Sequence, residues 1–237
     1  MNKLIALELK RNGLRSYNLA VIIITAVMLL LLYLLAAIPK IDPAENELAM
    51  FMSYKSLLGL TNIICMVAFM ILSSAMSAKF IVEEYSGKRA ALLFSYPVAR
   101  WRILRAKLTM VFLYTAASML LCGMIALGVF FSTESVFHLC ADQLTIGIVC
   151  NGLLSLLLYS LAAGVWGMVA LWFGFCKQSV IVTIIAAVIF SVILCQLMSA
   201  AFILNPLMSA AIVLVSGLAC VIFVLSSLKR KISCMEV

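Results

Sequence analysis

Two adjacent glutamates, Glu83-Glu84, are followed closely by Lys88-Arg89. Paired carboxylates beside a cation can activate a water for hydrolysis, but that chemistry needs histidines nearby to orient the water. The chain has 1 histidine, His138. A nucleophilic serine inside an apolar segment would need a His or Lys partner in such a segment, and none of the long apolar segments holds one. No G-x-x-x-x-G-K-[ST] run is present to cradle phosphates. The 8 cysteines contain no C-x-x-C pair. They read as small apolar packing residues, not as a disulfide framework or a zinc site. The residues themselves therefore give no catalytic set and no metal site.

The elements that carry these residues are apolar. The chain of 237 residues is 66% hydrophobic and 11% charged, too little charge to cover a soluble domain of that size. Five stretches lack Asp, Glu, Lys, Arg and His altogether: Tyr17–Ile38, Leu57–Ala78, Leu108–Phe131, Gln143–Cys176 and Gln178–Leu228. About 20 apolar residues span a bilayer core as helix. The last stretch is long enough for two spans and breaks at Asn205-Pro206, because proline cannot continue a helix interior. It divides into Ser179–Met198 and Leu207–Leu228. The fourth stretch, with Gly147, Gly152, Gly164, Gly167 and Gly174, exceeds one straight span and is expected to tilt, kink or end in a surface segment. The expectation is an all-α polytopic membrane protein with six transmembrane helices. The first apolar run is too long for a signal-peptide core and no small-residue cleavage site follows it.

Lys and Arg set the orientation. With the N-terminus in the cytoplasm, 15 of the 17 basic residues fall inside, and only Lys40 and Lys55 fall outside. Asp42, Glu45, Glu47, Glu134 and Asp142 are then in outer loops, as is His138, across the membrane from Glu83 and Glu84. Both termini are expected to be cytoplasmic. The net charge of +8 is a topological signal, so nucleic acid is not an expected partner, whereas the lipid bilayer is. Residues 1–16, with Leu4, Ile5, Leu7, Leu9 and Leu14 among Lys3, Lys10, Arg11 and Arg15, read as an N-terminal interfacial helix. Residues 17–237 form the six-span domain.

The longest inner segment, residues 79–107, joins spans two and three. Gly87 and Pro97 punctuate it, and the residues between can form about two helical turns. Leu92, Leu93, Phe94 and Tyr96 make it more apolar than a solvated loop, with Glu83, Glu84, Lys88, Arg89 and Arg100 around the rim. Such an element suits a groove on a partner protein or packs on the protein's own helix ends. Inside the spans, polarity is confined to residues such as Asn62, Asn151 and Gln196. Intramembrane amides most often bond helix to helix, the role expected for Asn151. Asn62 and Gln196, with Met66 and Met70 one turn apart, are candidates for lining a translocation path.

The run E-E-Y-S-G-K-R-A-A-L-L-F-S-Y-P-V-A-R-W-R-I-L-R-A-K, Glu83–Lys107, resembles the segment between spans two and three of ABC-2 type transporter permease subunits. The matching positions are Glu84, Gly87, Leu92-Leu93, Pro97, Arg100 and Lys107. The opening E-L-K-R-N-G-L-R-S, Glu8 to Ser16, is also similar, and the six-span layout extends the likeness over the chain. Lys88 departs from the pattern, where a Thr or similar residue is common. The resemblance implies an ABC-2 (type V exporter-like) topology in a plasma-membrane exporter. Segment 79–107 would dock on a cytoplasmic ABC ATPase subunit that binds ATP and Mg. A second permease subunit, identical or different, would complete the path. The cofactors would sit on the ATPase, and this chain would bind none. Substrates implied are amphipathic or hydrophobic, such as antimicrobial peptides or peptide toxins.

Two other readings compete. The Glu83-Glu84 run is also similar to the Glu-Glu-x-x-x-Arg motif of CAAX-protease-like membrane proteins, but Lys88 holds the Arg position and no histidine is at hand. A passive channel or membrane scaffold shares the topology and the lack of charge, yet has no evident use for an apolar inner segment.

Overall fold

The computed structural model describes residues 14–41, 54–84, 100–137, 146–202 and 206–234. Among them the chain is helical throughout: α1 (Arg15–Ile41), α2 (Tyr54–Ser77) with a π-helical turn at its end (Ala78–Val82), α3 (Arg100–Phe137), α4 (Ile146–Lys177), α5 (Val180–Phe202) and α6 (Pro206–Cys234). All six are long and apolar enough to cross a membrane, the architecture of a multi-pass membrane protein. Ile22, Leu30, Ile181 and Ile222 each lie about two-thirds or more exposed on the outside of the bundle, as a surface solvated by lipid permits and one solvated by water resists.

Most of the expected interfacial helix, residues 1–13, lies outside the described residues. Arg15 and Ser16 already belong to α1. The expected break at Asn205-Pro206 is where α6 begins. Proline suits a first helical turn, whose N–H groups have no intrahelical acceptor. The fourth span is a single helix of 32 residues, about 48 Å long, and its glycines do not break it. They are notches for neighbours. A Cβ on Gly164 would meet the Phe112 ring of α3, one on Gly167 the Ser73 side chain of α2, and one on Gly174 Thr183 of α5. α4 thereby reaches three of its neighbours at close range, and α2, α3, α5 and α6 pack around it. Close backbone approach at small residues is the main source of helix association in lipid, where apolar burial gives little.

The turn from α4 to α5 is only Gln178-Ser179, because α4 stops abruptly. Gln178 adopts φ 48°, and the Ser179 N–H reaches back to the Gly174 carbonyl at 3.2 Å, the bonding pattern of a left-handed helix stop. The Ser179 carbonyl then accepts from Thr183 at the start of α5. The hairpin is closed further along by Trp166, which stacks near Phe190 of α5 and donates Nε1–H to the Val213 carbonyl of α6 at 3.1 Å. That carbonyl is reachable because Gly217, one turn on, has no side chain. A Cβ there would stand 2.9 Å from Trp166 Nε1.

Four apolar clusters fill the bundle among the described residues, the smallest of them Val165, Val169 and Val221 between α4 and α6. One at the basic end gathers Phe80, Ile81, Leu104, Leu108, Phe175 and Leu228. A middle cluster includes Met66, Phe69, Met70, Met119, Leu156 and Tyr159. One at the far end holds Leu32, Tyr54, Leu57 and Phe130.

Substituting Gly174→Val places methyl groups where Thr183 sits, and overpacking of this kind costs about 1–3 kcal/mol or more. The expected outcome is a lowered melting temperature and loss of the monodisperse peak in detergent, whereas Gly128→Val, at a glycine with open space around it, changes neither.

Candidate functional site

Segment 79–107 contributes its two ends to the described structure. Gly87, Lys88, Arg89, Leu92, Leu93, Phe94, Tyr96 and Pro97 lie outside the described residues, and Arg100 opens α3. At the exit of α2 the backbone widens into the π turn, closed by the Glu83 N–H on the Ala78 carbonyl at 3.0 Å. Ala78, Phe80, Ile81 and Val82 are buried there. Lys79 turns outward, with its ammonium 6.0 Å from the centre of the Tyr17 ring.

Lys107 lies two turns inside α3 and is 1% exposed. Its ammonium donates to the Glu84 carboxylate and to the Phe80 carbonyl at 3.0 Å. A buried ammonium needs a counter-charge and acceptors. The end of a helix supplies both, since its last carbonyls lack intrahelical donors and carry the negative end of the dipole. The π turn presents the Phe80 carbonyl and brings Glu84 to the same point. Two residues singled out on the family resemblance, Glu84 and Lys107, are thus brought into contact 23 positions apart. Glu83 is half-buried beside them.

A second polar contact joins the same two helices at their other ends. Glu134, expected in an outer loop, lies instead within α3, which continues to Phe137. Its carboxylate is 2% exposed and accepts the Tyr54 hydroxyl of α2 at 2.6 Å. Tyr33 of α1 and Thr133 share a hydrogen bond of 2.7 Å alongside. Nothing in the apolar periodicity marks this pair, because Tyr54 and Glu134 sit outside the uncharged stretches.

The four path candidates do not share a surface. Asn62 is buried and donates Nδ2–H to Ser155 Oγ of α4 at 3.1 Å, so it stitches helices together. Met66 and Met70 are fully enclosed in the middle cluster. Gln196 is on the exposed face of α5, and Asn151, expected to bond between helices, is exposed on α4. The void beside Asn62, bordered by Thr61, Cys65, Cys122 and Gly123, measures about 10 Å³, room for a water at most. A path between two copies would draw on exposed faces, where only Gln196 of the four lies. Among the described residues no three of His, Cys, Asp and Glu come close enough to hold a metal ion.

No protein-family model matches the chain, and no solved structure matches it. It is similar to the uncharacterized protein YcbO of Bacillus subtilis (strain 168), with 24% identity over 186 residues that cover 78% of this chain and 80% of that one.

Removing one partner of a buried pair costs about 3–5 kcal/mol, because the other charge is left uncompensated. Glu84 retains some solvent access, so Lys107→Ala is expected near the lower figure. In a double-mutant cycle with Glu84→Gln, read by thermal melting in detergent, the two effects should be far from additive and insensitive to salt. Additive losses would show that the contact carries no coupling.

Proposed function

We propose that this chain is the membrane-spanning permease subunit of an ATP-driven exporter, with a separate cytoplasmic ATPase docked on segment 79–107. The observation that carries the reading is the Glu84–Lys107 contact on the Phe80 carbonyl. It closes the base of the apolar segment, so that a push on residues 85–99 reaches α2 and α3 together instead of being lost in a loose loop. The segment's composition, Leu92, Leu93, Phe94 and Tyr96 within a charged rim, supports its use as a docking element.

The charge distribution supports an external energy source. Among the described residues every acid and every Lys or Arg lies within about two turns of a helix end. Carriers driven by protons or sodium use ionisable groups deep in the membrane, and these helices offer none. ATP and Mg belong to the partner, and this chain supplies the moving wall. The tight interior of a single chain favours a path formed with a second permease subunit. A lining of uncharged faces suits an amphipathic or hydrophobic cargo, with peptides favoured by the family resemblance. In this reading the protein sits in the cell membrane with both termini in the cytoplasm.

Purification of the tagged chain from its native membrane in gentle detergent, followed by mass spectrometry, tests the reading. A soluble partner with a phosphate-binding loop is expected at stoichiometric yield. Phe94→Asp or Leu93→Asp should cut that yield at least tenfold while the six-helix domain keeps its melting temperature. A chain that purifies alone overturns the proposal in favour of a channel or scaffold.

A further inference from the structure

We propose that the cleft between α1 and α3 binds one acyl chain of an anionic phospholipid, with the head group held at the basic end by Arg15 and Asn18. The inference does not depend on the exporter reading. The cleft has a volume of about 340 Å³ and is walled by Val21 and Ile22 of α1 and by Ala117, Ser118 and Leu121 of α3, with Asn18 and Tyr114 at one end.

The wall offers hydrocarbon and nothing else. Ser118 Oγ is turned to the carbonyl of Thr115 at 3.1 Å, and the Tyr114 hydroxyl donates to Asn18 Oδ1 at 2.6 Å. From Tyr114 to Leu121 the cleft runs about 10 Å along α3. A volume of about 340 Å³ over that length gives a cross-section of roughly 34 Å², well below that of a helix about 10 Å across. A single hydrocarbon chain fits, and a helix from a second copy does not.

The polar end selects the head group. The Tyr114 bond fixes the Asn18 amide so that its NH₂ points away from Tyr114, and Asn18 is exposed. Arg15, also exposed, stands one turn before Asn18 on a neighbouring face of α1. The described side-chain charges of this end are Arg15, Lys79, Arg102, Arg105, Lys107, Lys177 and Arg230 against Glu83 and Glu84, an excess of five positive charges that favours an anionic head over a zwitterionic one.

Native mass spectrometry of the full chain, titrated with phosphatidylglycerol or with phosphatidylcholine of the same acyl chains, tests this. One phosphatidylglycerol should be retained in preference to phosphatidylcholine, and Arg15→Gln should weaken it about fivefold, the effect of one basic residue near anionic lipid. Ala117→Trp, or Ile22→Trp on the opposite wall, fills the cleft with Arg15 intact and should abolish retention. Both positions are exposed, and a melting curve confirms that each variant folds. Leu30→Trp, on α1 away from the cleft, should change nothing. Equal retention of the two lipids, or retention indifferent to both tryptophans, overturns the proposal. So does a dimer that Ala117→Trp dissociates while lipid retention persists, since the cleft would then belong to a second copy.

Discussion

A lysine ammonium buried at the exit of α2 governs how this bundle is built at its basic end. Lys107 is enclosed, and the cost of dehydrating it is met by the Glu84 carboxylate and the Phe80 carbonyl. The π turn sits at the same point, and its Phe80 carbonyl is directed at α3, where it accepts from Lys107. Rare wide turns inside α-helices concentrate where a side chain or ligand needs a backbone acceptor, and here the ligand is the protein's own lysine. With the pair in place, Phe80, Ile81 and Val82 are held in the cluster that seals this end.

The middle of the bundle rests on a different principle. Apolar side chains gain little by leaving lipid for protein, so the helices are held by close contact. Gly123 on α3 receives Leu156 of α4, while Gly164, Gly167 and Gly174 place α4 against α3, α2 and α5. Hydrogen bonds sit at these approaches: Asn62 to Ser155, Tyr159 to Ser209, and Trp166 to the Val213 carbonyl. Each joins α4 to a different partner or a different level. The glycines that would weaken α4 in isolation are what lets it occupy the centre, and its continuity over 32 residues follows from neighbours on most sides.

Six helices and their approximate limits were legible in the sequence, since uncharged runs and the Asn205-Pro206 break mark them directly. Helix ends were legible less well. α3 extends eight residues before Leu108 and six past Phe131, because charged and polar residues continue a helix readily once their side chains find partners. Lys107 and Glu134 were read as flanks and prove to be buried inside α3. Their partners, Glu84 and Tyr54, lie on another helix, a relation that spacing along one chain does not encode. The glycines of α4 were read as signs of a tilt, a kink or a surface segment for the same reason: a glycine that kinks and a glycine that receives a neighbour look alike until the neighbour is known. Asn62 bonds between helices while Asn151 is exposed on α4, since an amide's neighbour across the interface decides whether it is glue or surface.

The two buried carboxylate contacts together constrain motion. Glu84–Lys107 and Tyr54–Glu134 both join α2 to α3, and along α3 they lie about 40 Å apart. Two helices pinned at both ends by charged hydrogen bonds, each worth more than a neutral one, cannot slide past each other or rotate separately without exposing a charge. The two contacts tie α2 to α3 at both ends, and close approaches at Gly123 and Gly167 set both helices against α4. Any rearrangement of the bundle must therefore fall to its less enclosed members. α1 has only about a sixth of its spanning window buried, and α5 and α6 about a third or less. The cleft between α1 and α3 lies at the boundary between this tightly packed centre and the less enclosed α1.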